Sequence, residues 1–221
     1  MAETRVRPDL LDAMEGILSL LNPGPYGVAD TDPKARLIAD LQGVVSQLST
    51  PPVVIGGIAV IINGYPRQTA DVDLLVARKD AMKLVRALEA SGKFRRRKLE
   101  RLTHVETGTG VDICVEGELT NPSRSERFPS PSAVETIPKP ILPVLALVDL
   151  LVLKAKSGRQ KDEADFGCLA RAHGLRDEIR TQVLGKLGDP RVKEDVVRWW
   201  ERARVDDTRE RDVRPSWGDE E

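Results

Sequence analysis

Cysteine is scarce in this chain: its 221 residues hold two, Cys114 and Cys168, far apart and without the close pairing of metal ligands. That excludes a disulfide-stapled scaffold and a cysteine-based zinc site, and it reads as a chain built for a reducing cytoplasm. Histidine is equally rare, at two residues. His104 and His173 have no metal partner nearby in sequence, so both read as structural. Aromatic residues make up 4% of the chain, too few for a stacking platform that would hold bases. Charge of either sign is not in excess: the formal net charge is −1, so no global field draws the molecule to nucleic acid or an anionic membrane, and any such attraction must be local. Long apolar runs are missing too. Met1 to Arg7 lacks the apolar core of a signal peptide, and the longest apolar stretch, Ile141 to Leu153, is broken by Pro143 and Asp149. It falls short of the roughly 20 residues needed to span a bilayer.

What is present is an ordinary globular balance, 40% hydrophobic and 31% charged, in a length that suits one catalytic unit with a smaller helical lobe. Leu10, Leu11, Met14, Ile17, Leu18 and Leu21 recur at helical spacing until Asn22-Pro23-Gly24-Pro25 stops the helix. A second helix is expected with Asp32 as N-cap, Pro33 at its first position and a buried stripe of Leu37, Ile38, Leu41, Val44, Val45 and Leu48. Val53-Val54-Ile55 then reads as a strand running through Gly56-Gly57 into a short helix over Ile58 to Gly64. A strand follows at Asp71 to Val76, an amphipathic helix at Ala81 to Ser91, and strands at Leu102 to Thr107 and Val111 to Val115, turning at Gly108-Thr109-Gly110.

From Glu118 to Pro140 the Pro, Ser and Arg content predicts loop or edge strand. Helices are expected at Leu145 to Ser157, Lys161 to His173, Arg176 to Leu187 and Pro190 to Arg204. Trp199-Trp200 on the last of these either packs on the core or forms a partner surface. The fold class is therefore α/β (α+β): a core with a small mixed sheet over residues 1–140, a C-terminal helical bundle over 141–205, and a flexible tail over 206–221.

The chemistry concentrates in two short segments. Residues two apart in a strand point to one face, so Asp71 and Asp73 project together. Two carboxylates so placed repel each other, and a hard divalent cation with open positions removes that repulsion, as Mg²⁺ or Mn²⁺ does. Asp112, between Val111 and Ile113 in the expected neighbouring strand, offers a third acid as metal ligand or base, completing the set a two-metal phosphoryl-transfer site uses. Ahead of them, Gly56 and Gly57 let backbone approach a phosphate closely. No Ser/His or Cys/His nucleophile pair is needed, because phosphoryl transfer asks for alignment and charge stabilisation. Lys93-Phe94-Arg95-Arg96-Arg97-Lys98 puts five positive charges in six residues. It either steers nucleic-acid phosphates toward the site or is a sheet edge defended by charge. Cys114 shares a strand face with Asp112 and reads as a small apolar side chain.

Gly56-Gly57, Arg67, Thr69, Asp71-Val72-Asp73 and Asp112, in that order, resemble the polymerase-β-like nucleotidyltransferase superfamily. Leu150-Leu151-Val152-Leu153-Lys154-Ala155, with Arg159, Lys161-Asp162 and Asp165, is similar to the later motifs of its AbiEii-like (MenT-type) branch, the toxins of type IV toxin–antitoxin systems. The resemblance covers Val53 to Leu169. It implies transfer of a nucleoside monophosphate from an NTP to an acceptor, tRNA or another RNA, or else a protein side chain or small molecule, the remaining alternative being a non-catalytic regulatory module that keeps the nucleotide pocket. It also implies a cognate antitoxin. By the same resemblance Asp71, Asp73 and Asp112 hold the metal, while Lys154, Arg67 and Thr69 touch the triphosphate and Asp162 completes the pocket. Without the resemblance, Lys154, Arg159, Lys161 and Asp162 read equally as a solvated helix face laced by i,i+4 pairs.

Overall fold

The structure, a computed structural model, describes residues 33–213 except residue 99. The helix expected over Leu10 to Leu21, the Asp32 cap and the final residues 214–221 lie outside the described residues. The first described helix, α1 (Pro33–Val45), buries its expected stripe of Leu37, Ile38, Leu41, Val44 and Val45. It packs on α3 (Arg78–Ala90), whose Ala81, Leu84, Val85 and Leu88 face inward. Between them come β1 (Val53–Ile55), α2 (Gly56–Ile62) and β2 (Asp71–Val76). Then follow β3 (Phe94–Lys98), β4 (Arg101–His104), β5 (Gly110–Val115), β6 (Thr136–Ile137) and β7 (Val144–Leu145). The C-terminal helices are α4 (Leu147–Ser157), α5 (Gln160–Ala172), α6 (Asp177–Lys186) and α7 (Pro190–Val213).

The architecture is mixed α/β, built on one seven-stranded sheet in the order β3-β4-β5-β2-β1-β7-β6. The β2/β5 and β1/β7 pairs are parallel and the other four antiparallel. The basic run is β3, the edge strand, with Phe94 buried against His104 at a ring separation of 5.1 Å and the exposed Arg95, Arg97 and Lys98 facing solvent. β6 lies within 118–140, the stretch expected as loop or edge strand, and is the sheet's other edge, whereas β7, two residues long, has no period to display. Leu145, expected as the first residue of a helix, instead joins Val144 in β7, which runs parallel to β1, with the Val54 amide donating to the Pro143 carbonyl at 2.8 Å. α7 continues past Arg204, its expected end, to Val213.

Trp199 and Trp200 are core residues. They are 3% and 0% exposed and meet Phe166 of α5 edge-on at 5.5 and 6.2 Å. Among the described residues, no helix is long and apolar enough to cross a membrane.

Candidate functional site

The middle of the sheet sets the site. β2 and β5 run parallel in a register that places Asp73 beside Asp112 and Asp71 beside Gly110, while Ile55 at the end of β1 lies on the other side of Asp73. Directly opposed residues on neighbouring strands project from the same face, so the three carboxylates share a surface. That surface is the floor of a cleft of about 360 Å³ whose lining includes Gly56, Gly57, Arg67, Thr69, Asp71, Asp73, Asp112, Lys154 and Asp162. Every residue singled out from the sequence as a site residue therefore borders one cavity. Its opposite wall is α4 and the start of α5.

The glycines have an immediate structural use. Gly56 has φ of +63°, and a Cβ built there would lie 1.9 Å from Asp73 Oδ2; one built on Gly57 would lie 2.3 Å from Thr69 Oγ1. The room they leave is filled by the chain's own Asp73 and Thr69, so their first role is to let β2 and its approach close onto α2. Gly56→Ala combines left-handed backbone, which costs an L residue about 1–2 kcal/mol, with a displaced Asp73. It should lower the melting temperature and reduce activity at least tenfold. Gly43→Ala in α1, where a Cβ meets nothing within 4 Å, is the control and should leave both unchanged or raise stability. Equal behaviour of the two variants in a melt and a turnover assay would contradict the close approach.

The acids are not electrostatically at rest. Burial, followed by the charge of Asp112, pushes the Asp73 carboxyl above the ordinary carboxylate range, against the pull of Lys154 and Lys161. Burial also raises Asp112, with Asp71 adding to the effect and Arg101 opposing it. Burial is the leading cause in both, and the neighbouring carboxylates add to it. Cys114 also borders the cleft. Burial, then Asp73 and Asp112, push its thiol far up, so it stays protonated and is no nucleophile at neutral pH.

The helical wall is a chain of alternating charges. Lys154 Nζ donates to Asp162 Oδ1 at 3.0 Å and to Asp165 Oδ2 at 2.6 Å. Arg67 Nη1 donates to both Asp165 oxygens at 2.5 and 2.7 Å, and Arg159 Nε to Asp162 Oδ2 at 2.7 Å. Lys154, Asp162 and Asp165 are 6%, 0% and 4% exposed, so the reading of this stretch as a solvated helix face fails for them. Exposed Lys161 stands at the lip. Burial works to raise Asp162, but the bond from Arg159 and the charge of Lys154 hold it below the usual range. Asp165 joins Arg67 to Lys154 across 98 residues of sequence. The sequence motif included Asp165 without a role, and its spacing from Asp162, three residues along one helix face, is the signal that pairs the two on Lys154.

Sequence reasoning missed Arg101 altogether. It lies opposite Asp112 in the β4/β5 register, its Nη2 donates to Asp71 Oδ2 at 3.0 Å, and its Nε is 3.5 Å from Asp112 Oδ1. Gly110 permits this: a Cβ there would sit 2.2 Å from Asp71 Oδ1 and 3.2 Å from Arg101 Nη2. The donor set suits a hard divalent cation, being three carboxylates on one face with a cationic group already between two of them.

Elsewhere, among the described residues, Asp40, His104 and Glu106 bring one ligand atom each within 4.8 Å of one another. That group is already neutralised. Lys93 and His104 Nε2 bond Asp40, Thr107 bonds His104 Nδ1, and Arg36 pairs with Glu106 at 3.3 Å. His173 hydrogen-bonds the Asn63 carbonyl through Nε2 at 2.7 Å.

No protein-family model and no curated protein matches the sequence. Two solved structures provisionally described as nucleotidyltransferases are similar to it. The one from Thermotoga maritima is 17% identical, with a TM-score of 0.39 over 67% of this chain and 93% of that chain. The one from H. pylori is 12% identical, with a TM-score of 0.42 over 82% and 98%.

Proposed function

We propose that this chain is a nucleotidyltransferase that moves a nucleoside monophosphate from an NTP onto an acceptor hydroxyl, with RNA, tRNA in particular, as the first acceptor. The observation that carries the reading is the shared sheet face of Asp71, Asp73 and Asp112, set in a cleft whose far wall is cationic at Arg159 and Lys161. Asp71, Asp73 and Asp112 would hold Mg²⁺ or Mn²⁺, which when bound neutralises triphosphate charge and makes the attacking hydroxyl more acidic. Asp112, raised above the usual carboxylate range by burial and about a third exposed in the cleft, would accept the proton of that hydroxyl. Lys161 and Arg159 at the lip meet the triphosphate first. Lys154 and Arg67, tied to Asp162 and Asp165, fix the helical wall that faces Thr69, Gly56 and Gly57 across the cleft.

RNA is favoured by the exposed basic side chains Arg95, Arg97 and Lys98 on the edge strand, which lies two strands from Asp112 in the sheet order. The role as a toxin held by a cognate antitoxin rests on the sequence motifs alone. One observation favours a second reading, a small molecule or protein side chain as acceptor. Beyond Asp112 lies a groove of about 360 Å³ bordered by Glu100 and Glu118, by Lys98 and Arg101, and by the exposed Leu119. Purified protein incubated with each α-³²P-labelled NTP, Mg²⁺ and total RNA decides between them. Label in RNA supports the first reading, label on protein or on an added amine the second, and no transfer from any NTP overturns both.

A further inference from the structure

Asp71, Asp73 and Asp112 carry three negative charges on one sheet face, and the cation nearest two of them belongs to the chain itself. Arg101 reaches from β4 across β5 to Asp71, passing over Gly110, where any side chain would strike Asp71 and crowd Arg101. Its guanidinium therefore lies between Asp71 and Asp112, at 3.0 and 3.5 Å. The arrangement is partly open to water: the side chains of Arg101, Asp71 and Asp112 are 46%, 31% and 32% exposed. Ion pairs this accessible are weak and exchange readily. A divalent ion brings twice the charge and takes the same carboxylate lone pairs that the guanidinium uses. Two cations cannot share those oxygens at full strength.

We propose that Arg101 is a resident counter-ion that competes with the divalent metal for Asp71 and Asp112, so that metal binding in the absence of nucleotide requires its displacement. The inference rests on the reading of the three aspartates as a metal site. Without nucleotide, metal affinity is reduced by the share of molecules in which Arg101 occupies the acids. The displaced side chain has space to go to, because the groove beyond Asp112 is bordered by Arg101 as well as by Glu100 and Glu118. An arriving metal–nucleotide complex brings phosphate oxygens that offer the guanidinium replacement acceptors. Metal and nucleotide then bind with positive cooperativity, and the nucleotide-free protein discriminates against bare metal.

The test is titration of the full chain with Mn²⁺ alone, read by the loss of the free-ion electron paramagnetic resonance signal. Wild type is compared with Arg101→Ala, Arg101→Gln, Asp71→Asn and Arg95→Ala. Arg95 is exposed on the edge strand, opposite Thr103, and reports the effect of removing one positive charge that does not touch the acids. Arg101→Ala and Arg101→Gln should each bind Mn²⁺ about threefold or more tightly than wild type, Arg95→Ala less than twofold, and Asp71→Asn more weakly. Unchanged affinity in both Arg101 variants, or an equal gain in Arg95→Ala, overturns the competition while weaker binding by Asp71→Asn leaves the metal site standing. Equal binding by Asp71→Asn, or no binding by any form, overturns the metal site and the competition together.

Discussion

Asp73→Asn should reduce nucleotidyl transfer by about a thousandfold or more while leaving the melting temperature at neutral pH equal to or above that of the wild type. The activity loss follows from removing one of three charged oxygen donors where charge stabilisation and alignment are nearly all the protein supplies. The stability result follows from the direction of the pKa shift. Asp73 is pushed above its unfolded value of 3.8 by burial and by Asp112. A raised acid disfavours folding wherever it is ionised in the folded protein, so its cost is present at neutral pH. As pH falls through the folded pKa toward 3.8, the carboxyl gains its proton and the cost disappears. The amide keeps the shape and removes the charge, and any advantage of the variant should therefore shrink on acidification. Thermal melts at pH 7 and pH 4, beside a transfer assay, give the answer. Near-full turnover would sink the assignment of Asp73, and a large loss of stability at pH 7 would show that its charge is compensated in a way the geometry does not display.

Lys154→Met should cost about 3–5 kcal/mol, roughly 10 °C in melting temperature for a chain of this size. The ammonium sits between Asp162 and Asp165, 0% and 4% exposed, and its removal leaves two buried carboxylates with Arg159 and Arg67 as their remaining partners. Asp162 is held below 3.8 in the folded chain. Stability from a depressed acid is present above the unfolded value and lost as pH falls through the folded one. The gap between wild type and Lys154→Met should accordingly be widest at neutral pH and narrow below about pH 4, in urea melts run across that range. A gap under 1 kcal/mol, or one indifferent to pH, would mean that water already solvates the triad. Turnover should fall as well, since Asp165 transmits the position of Lys154 to Arg67.

The parts of the site legible in the sequence were those that announce themselves over short range. Asp71 and Asp73 lie two apart in a strand, and their shared face follows from the pleat. Gly56 and Gly57 mark a tight strand-to-helix junction, and the stripe in α1 shows its period over several turns. β6 and β7, two residues each, had no period to show. The functions of the basic run and of the tryptophan pair stayed open because both alternatives produce the same local pattern. Sheet order placed the run at an edge, and Phe166 buried the tryptophans.

The sequence by itself determined that Asp71 and Asp73 share one strand face and that Gly56 and Gly57 mark a tight strand-to-helix junction, because strand periodicity and backbone sterics act within a few residues, whereas Asp112 comes beside Asp73 only through the β2/β5 register. Only the tertiary structure decided which cations stand beside those acids. Arg101 reaches Asp71 from 30 residues away and Arg67 reaches Asp165 from 98. It also decided that the glycines' space is taken by Asp73 and Thr69. The physical reason is that charge and volume act through space: Coulomb interaction and steric exclusion depend on distance between atoms, and strand register and helix packing fix those distances without a trace in local pattern.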